Sequence, residues 1–260
     1  MKYKELTDIL YSSIDMKKHI VGVKLIKTEN EYNNIDALEI KNTINYCHTV
    51  KAAYSGNSIK LKENTFKCKS GLRVLGINPQ DEKNSNGEVW DKLGLYSNSD
   101  TSSNVRKNLT YYKENKNFGV LISPIECFNE TPDIIMILAN PYICMRTIQG
   151  YSYYYGIAEN LQIVGNQGIC YEGTARVLHT KDINLSLLCI GTRHRASWSD
   201  NLMCISIHKN KFKKTVLGIY NTINIMESNK NKDDISKKLK EHSLDSDFIK
   251  KDYNYYREIK

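Results

Sequence analysis

Apolar residues near the start of the chain recur at helical spacing and then give way to a continuous apolar run. Residues 4–16 place Leu6, Ile9, Leu10 and Ile14 at helical spacing, which predicts an amphipathic helix. The segment "HIVGVKLIK" that follows is short, apolar and rich in β-branched residues, so it predicts a buried strand. The chain is therefore expected to open with a helix followed by a strand.

Similar patterns continue along the rest of the chain. Further strands are predicted at "NFGVLISPIE", "PDIIMILANP" and "NLMCISIHKN". Helices are predicted at "DALEIKNTINYCHTVKAAYSG", "YICMRTIQGYSYYYG" and "KTVLGIYNTINIM". Residues 80–105 are polar and rich in Asn and Ser, which predicts a long surface excursion.

One motif occurs twice in the sequence. Cys47 and Cys170 each lie in a predicted helical segment with an alanine five residues later, in "NYCHTVKAAYSG" and "GICYEGTARVLH". A second cysteine follows each of them, Cys68 after 21 positions and Cys189 after 19, with glycine and arginine close behind in "CKSGLR" and "CIGTR". This order and spacing predict an internal duplication, with residues 18–130 and 131–226 as two related halves.

The predicted fold class is α+β with mixed sheets, in which the two related halves pack as one globular unit about a pseudo-twofold axis. A helix within residues 1–17 would precede the halves, and a charged, basic tail would follow them at 227–260. A chain of 260 residues is long enough to bury a sizeable core without disulfides.

The net charge of +8 would suit an anionic partner, such as a nucleic acid, if it were concentrated on one surface. Part of the excess lies in the tail, where acidic residues interrupt it, so a nucleic-acid partner is not favoured over a solvated surface. The N-terminus lacks the apolar core of a signal peptide, and no apolar run approaches the ~20 residues of a membrane span. We therefore expect a cytoplasmic protein, in which seven cysteines are free thiols, metal ligands or catalytic groups.

The order of these motifs resembles a bacterial and archaeal family, the domain-of-unknown-function family numbered 169. The resemblance lies in "VGVKL", "CHTVKAAYSG", the cysteine before "GLRVLGI", "PDIIMILANP", "ICYEGTARVL" and "CIGTR". It covers the chain up to about Met226 and leaves out the Asn-rich insertion and the tail. The resemblance implies no reaction, because the function of that family is unassigned.

Four cysteines hold equivalent positions in the two predicted halves: Cys47, Cys68, Cys170 and Cys189. Thiolates are soft ligands, and four of them match the ligand set of an iron–sulfur cluster or of a closed zinc site. No Cys-x2-Cys occurs, so the fold would have to assemble such a site from distant segments. A free cysteine also packs well as a small apolar core residue, and that alternative stays open for the four.

Two arginines and two tyrosines are the candidate substrate-binding residues. Arg73 and Arg193 follow the second cysteine of each pair, near a glycine, and a guanidinium there offers a two-pronged partner for a carboxylate or phosphate. Tyr151 and Tyr155 share one predicted helical face, where they would line a pocket. A small anionic molecule is the expected partner, although arginines paired with surface carboxylates and tyrosines in the core would give the same pattern.

The leading prediction is an iron–sulfur cluster, with zinc as the alternative metal, held by the four cysteines between the two halves. Such a protein would act in redox chemistry, as an iron–sulfur-dependent oxidoreductase, or on a small anionic substrate held by Arg73 and Arg193. The second prediction is a metal-free module that binds a small acidic metabolite and keeps its cysteines in the core. Nucleic-acid binding through the tail and metal-free thiol chemistry are further alternatives.

Overall fold

One mixed sheet of seven strands runs through the part of the chain that the structure, a computed structural model, describes: residues 2–14, 16–79, 82–109 and 117–222. The strands are β1 (Val21–Ile26), β2 (Leu38–Glu39), β3 (Ile59–Lys62), β4 (Gly119–Pro124), β5 (Ile134–Ala139), β6 (Ile183–Ser186) and β7 (Met203–His208). Their order across the sheet is β2-β3-β4-β1-β5-β7-β6. Every neighbouring pair is antiparallel except β2 with β3.

Helices connect the strands of the sheet. The α-helices are α1 (Tyr3–Ser13), α2 (Glu29–Asn34), α3 (Tyr46–Tyr54), α4 (Lys69–Val74), α5 (Glu82–Ser85), α6 (Glu88–Lys92), α7 (Ser99–Asn108), α8 (Pro141–Tyr155), α9 (Arg176–Thr180) and α10 (Lys209–Asn221). Short 3₁₀ turns occupy Glu63–Thr65 and Ile125–Cys127. Two segments are π-helical: π1 (Gly168–Ala175) and π2 (Gly191–Arg195).

The central strand β5 shows how the sheet is covered on both faces. All six of its residues are buried, as expected for a strand with helices on either side. Side chains alternate along a strand, so residues 134, 136 and 138 enter one core, with α3, α4, π1 and α9. Residues 135, 137 and 139 enter a second core, with α1, α8 and α10. We call the first side of the sheet the cysteine face, because Cys47 and Cys170 pack against its core, and the second side the opposite face.

The longer apolar runs form the elements that their patterns predict. The runs "HIVGVKLIK", "NFGVLISPIE", "PDIIMILANP" and "NLMCISIHKN" contain β1, β4, β5 and β7, and the first amphipathic segment is α1. The helix predicted from Asp36 onwards begins only at Tyr46. The prediction is wrong for the earlier part, because residues 38–39 pair with β3 as strand β2.

The described part of the polar segment 80–105 is mostly exposed, as its composition predicts, but it is largely helical. It contributes α5, α6 and most of α7, and Trp90 of α6 is buried with Val74 and Tyr171 in a small core. The guanidinium of the buried Arg106 lies 4.4 Å from the centre of the Trp90 ring, a cation–π contact. Because Tyr171 belongs to π1, the segment packs directly against that helix.

The structure confirms an α+β class with a mixed sheet in one globular unit. From the centre outwards, the strands run β1-β4-β3 on one side and β5-β7-β6 on the other, with β2 as an additional edge strand. The helix predicted within residues 1–17 corresponds to α1, and the tail at 227–260 lies outside the described residues.

Candidate functional site

The four cysteines of the repeated motif lie on four separate segments near the cysteine face. Cys47 is in α3, Cys68 directly precedes α4, Cys170 is in π1, and Cys189 lies between β6 and π2. All four are half-buried, whereas Cys144 and Cys204 are buried and Cys127 is exposed. The four therefore share an environment intermediate between core and solvent.

Neighbouring thiols of this group raise the pKa of two of its members, Cys170 and Cys47. Burial raises the pKa of Cys170 well above its ordinary value, and the neighbouring thiols of Cys189, Cys68 and Cys47 raise it further. Burial, with Cys189 and Cys68, raises the pKa of Cys47 to about 11. The structure thus brings together the four cysteines that the sequence pairs only by pattern.

Direct contacts join the segments of Cys47, Cys68 and Cys170. The Tyr46 hydroxyl of α3 lies 3.1 Å from Thr174 Oγ1 of π1. A Cβ placed on Gly71 of α4 would lie 3.6 Å from Tyr46 Cβ and 3.9 Å from Cys170 Cβ. Ser70 of α4 also accepts a hydrogen bond from the side-chain amide of Gln167, next to π1. Helices α3, α4 and π1 therefore meet around these cysteines.

Cys189 is held against π1 through a glycine. A Cβ on Gly168 would lie only 2.5 Å from the Cys189 backbone nitrogen, closer than real Cβ contacts allow. The preceding Leu188 has a φ of 65°, which is strained for a side chain of its size. The Cys189 turn is thus fixed by a close backbone contact that only glycine permits.

The segment after π2 closes the arrangement by binding α3. Lys51 Nζ donates hydrogen bonds to the carbonyls of Ala196 (2.9 Å) and Ser197 (2.7 Å). In return, Trp198 Nε1 donates to the Cys47 carbonyl at 3.3 Å. The segments of Cys189 and Cys47 are therefore tied directly to each other.

The two π-helical segments coincide with the second cysteine pair. Cys170 lies inside π1, and Cys189 lies two residues before π2. π-Helices are rare and occur mostly as single turns, frequently at functional sites. The apolar–polar pattern predicted a helix over "GICYEGTARVLH" but gave no sign of this winding.

Two buried polar residues of π1 and its start were missed at the sequence level. Glu172 is fully buried, and its Oε1 accepts from the backbone N–H groups of Val164 (2.6 Å) and Gly165 (2.7 Å). Its Oε2 accepts from Ser186 Oγ at 2.5 Å, and Ser186 Oγ in turn accepts from the N–H of Leu188. Glu172 therefore links π1 to the turn that carries Cys189. The signal for it was a single acidic residue inside the otherwise uncharged run "GICYEGTA".

Gln167 is the second of these residues. It is 4% exposed, and its Oε1 atom has no hydrogen-bond partner among the described residues. A buried acceptor without a partner costs roughly 1–3 kcal/mol, so such atoms call for a ligand or water that satisfies them. This acceptor belongs to the side chain that links α4 to π1.

The two predicted arginines lie on cysteine-bearing segments, and Arg193 is already engaged by the protein. Its guanidinium donates to the carbonyls of Leu187, Ser199 and Leu202 and forms an ion pair with Asp200 at 3.6 Å. These bonds stabilise the loop that contains π2. Arg73 is half-buried in α4, five residues beyond Cys68. A substrate contact by either residue stays a prediction.

The two predicted tyrosines lie on the opposite face of the sheet. Tyr151 and Tyr155 pack in the core of the opposite face, across the sheet from Cys47 and Cys170. The Tyr151 hydroxyl donates to Asp182 at 2.7 Å, and Lys211 Nζ lies 3.9 Å from the centre of the Tyr155 ring. The tyrosines therefore lie across the sheet from these cysteines, and a substrate contact by either tyrosine stays a prediction.

Comparison with known proteins adds the family. The family model described as "Uncharacterised ArCR", domain-of-unknown-function family 169, matches residues 9–218. The chain belongs to this family. The chain is similar to an uncharacterised protein of Methanocaldococcus jannaschii. The two are 23% identical over 211 residues, which cover 78% of this chain and 88% of the relative. No solved structure matches the chain.

The matched region of family 169 includes all four cysteines of the site and both predicted arginines. Within the described ranges, no three His, Cys, Asp or Glu side chains are arranged so that they could hold a metal ion. No helix in the described part of this family member is long and apolar enough to cross a membrane.

Proposed function

We propose that Cys47, Cys68, Cys170 and Cys189 ligate an iron–sulfur cluster and that the protein acts in redox chemistry or on a small anionic substrate. The observation that carries the proposal is that Cys47 and Cys170, on two different segments, both have their pKa raised by burial and by the neighbouring thiols of Cys68 and Cys189. Cysteines that are merely core residues have no need to gather from four segments. No three side chains of the described residues are arranged to hold a metal ion, so ligation would have to draw the four segments closer together. A [4Fe–4S] cluster takes one thiolate for each of its four irons, which suits a set distributed over four segments.

The ionisation of the thiols supports ligation over catalysis by a free thiol. With a pKa of about 11, only about one Cys47 side chain in 10⁴ is a thiolate at pH 7. The thiolate is the reactive form of cysteine, so Cys47 is a poor nucleophile without a metal. A bound metal overcomes the low thiolate fraction, because coordination displaces the thiol proton. The positive charge of the metal also offsets the repulsion between the thiolates.

The surroundings of the four cysteines have features that are typical of a functional site. Three unusual features lie on or beside the cysteine segments: the two π-helical segments, the strained Leu188 and the buried acceptor of Gln167. Lys51 and Arg193, on the segments of Cys47 and Cys189, supply positive charge that would compensate a thiolate-ligated cluster. When bound, the cluster would supply one-electron transfer, and zinc is the alternative metal for the same thiolates.

We further propose that the two halves arose by internal duplication. In chain order, the first half runs β1, Cys47, β3, Cys68, β4, and the second runs β5, Cys170, β6, Cys189, β7. These strands occupy corresponding places on either side of the sheet centre. Duplication would explain why each half contributes one helical cysteine and one turn cysteine. We also propose a cytoplasmic location, because all seven cysteines are free thiols and reducing compartments keep them so.

The alternative is a metal-free module that binds a small acidic metabolite. Its support is that Cys47 and Cys170 pack against the apolar core and that Cys47 is protonated at neutral pH. On this alternative the four cysteines are packing residues, and anion binding takes place elsewhere on the protein.

Metal analysis of the full chain purified without oxygen distinguishes these functions. Iron and sulfide in stoichiometric amounts, with a visible absorption band, are expected for the wild type. Each single Cys→Ser change at the four positions should reduce both. Cys127→Ser is the matched control, because Cys127 is exposed, and it should leave both unchanged. Zinc alone would replace the cluster with a zinc site, and colourless, folded, metal-free protein would overturn the proposal in favour of the binding module.

A further inference from the structure

A cavity of about 1090 Å³ lies beside the start of α4, separate from the cysteines. Its charged lining comprises Lys27 after β1, Lys62 at the end of β3, Lys69 in α4, and Glu63. Ile77 and Phe118 add an apolar surface. We propose that this cavity binds a small organic anion with an apolar or ring-shaped body.

The charge of the lining favours an anion. The lining has three lysines against one glutamate, and even with Glu39 paired to Lys62 the lining keeps a net positive charge. Like charges held close together repel one another, and concave, low-dielectric surroundings strengthen their field toward a ligand. The carboxylate of Glu63 already accepts a hydrogen bond within the protein, from Asn78 Nδ2 to Oε1 at 2.8 Å. A negatively charged ligand would neutralise this excess.

The lysines are not equally available to that ligand. Lys62 forms an ion pair with Glu39 at 2.7 Å. Lys69 is exposed, and no described residue forms an ion pair or hydrogen bond with its ammonium group. Lys69 is therefore the cation that a ligand could engage without breaking a bond within the protein.

A buried amide belongs to the same lining. Asn117 is 4% exposed, its Oδ1 accepts from Lys27 Nζ at 2.6 Å, and its Nδ2 donates to the Leu75 carbonyl at 2.8 Å. The side chain thus connects Lys27 to the end of α4. A solvated lysine surface needs no such buried partner, so the arrangement favours a defined pocket over scattered surface charge.

The apolar part of the lining defines the ligand further. Ile77 is buried and Phe118 is half-buried, and an inorganic ion would leave this surface unused. Small-molecule sites typically combine an apolar surface with a few placed polar groups. A phosphorylated or polycarboxylated metabolite with a ring or hydrocarbon portion fits both parts of the lining. The proposal does not depend on a cluster, although Lys69 directly follows Cys68.

Titration calorimetry with the full chain tests this inference. ATP serves as the ring-bearing polyanion, inorganic phosphate as the bare anion, and a single-stranded oligonucleotide as the macromolecular competitor. We expect ATP to bind more tightly than phosphate and Lys69→Gln to weaken ATP binding about tenfold, the loss expected for one charged hydrogen bond. Lys67→Gln is the matched control, since Lys67 is exposed, two residues away and outside the lining.

Three results would overturn the inference. The first is the absence of ATP binding. The second is an equal loss with Lys67→Gln and Lys69→Gln, which would indicate general surface charge. The third is oligonucleotide binding that ATP does not displace, which would indicate a nucleic-acid surface. The same titration on Cys170→Ser protein separates this proposal from the cluster: ATP binding that persists in metal-free protein supports the pocket whatever the metal analysis gives.

Discussion

Replacing Gly168 by alanine tests the backbone contact that holds Cys189 against π1. The new Cβ would lie 2.5 Å from the Cys189 nitrogen and 3.0 Å from Leu188 Cα. Both are backbone atoms, so relief requires the turn to move away from π1. Overpacking of this kind typically costs 1–3 kcal/mol, and a chain of this size loses ~2–4 °C in Tm per kcal/mol. We therefore expect Tm to fall by about 2–12 °C.

Gly191→Ala is the matched control for this change. It alters the same residue type beside the same cysteine, but its Cβ would lie at an ordinary 3.8 Å from Cys189 Sγ. Its Tm should equal that of the wild type or exceed it slightly, because alanine reduces the freedom of the unfolded chain. Thermal unfolding followed by circular dichroism measures both variants. Equal Tm values for Gly168→Ala and Gly191→Ala would refute the reasoning, and iron content would show separately whether displacing Cys189 affects the cluster.

Three further predictions concern buried groups. Glu172→Ala leaves the two N–H groups of the 164–165 turn without their acceptor and should cost at least ~3 kcal/mol in urea unfolding, whereas Glu172→Gln, which keeps one oxygen, should cost less. Tyr151→Phe removes a charged hydrogen bond to Asp182 and should lower the free energy of unfolding by ~1.5–3 kcal/mol. ATP affinity should stay the same, and a loss of ATP affinity would instead indicate a substrate role for Tyr151. Because the folded-state pKa of Cys47 is raised to about 11, the protonated thiol stabilises metal-free protein below about pH 9, and this contribution disappears as pH rises toward 11. Tm should therefore fall less over this range in Cys47→Ala than in wild type, and identical profiles would contradict the shift.

The elements that sequence patterns predict best are those whose own residues determine them. β5 is apolar throughout because helices cover both faces of the sheet, and a run such as "IIMILA" identifies a buried strand without knowledge of its neighbours. The two-residue strand β2 has no such run, and it exists because residues 38–39 meet β3. α6 was missed for a related reason: its single large apolar residue, Trp90, is buried by contacts with Val74 and Tyr171.

The same distinction applies to the candidate sites. The repeated cysteines were found from sequence because their spacing recurs, and spacing is a local property. Glu172 and the pocket lysines carry no recurring pattern. Lys27, Lys62 and Lys69 come from three segments that only the folded sheet brings around one cavity. The tyrosines show the limit of local spacing. Helical spacing places Tyr151 and Tyr155 on one face but does not tell which side of the sheet that face covers.

Helix α4 connects the two proposed sites physically. Cys68 and Lys69 are adjacent at its start, and its end is fixed by the bond from Asn117 to Leu75. A six-residue helix cannot move its first turn toward a metal without also moving Lys69. Ligation of Cys68 should therefore change the position of one of the three pocket lysines. If ligation moves α4, cluster loading changes anion affinity, and by thermodynamic reciprocity the anion changes metal affinity by the same factor. Equal ATP affinities for cluster-loaded and metal-free protein would mean that α4 keeps its position on ligation and that the two sites act independently.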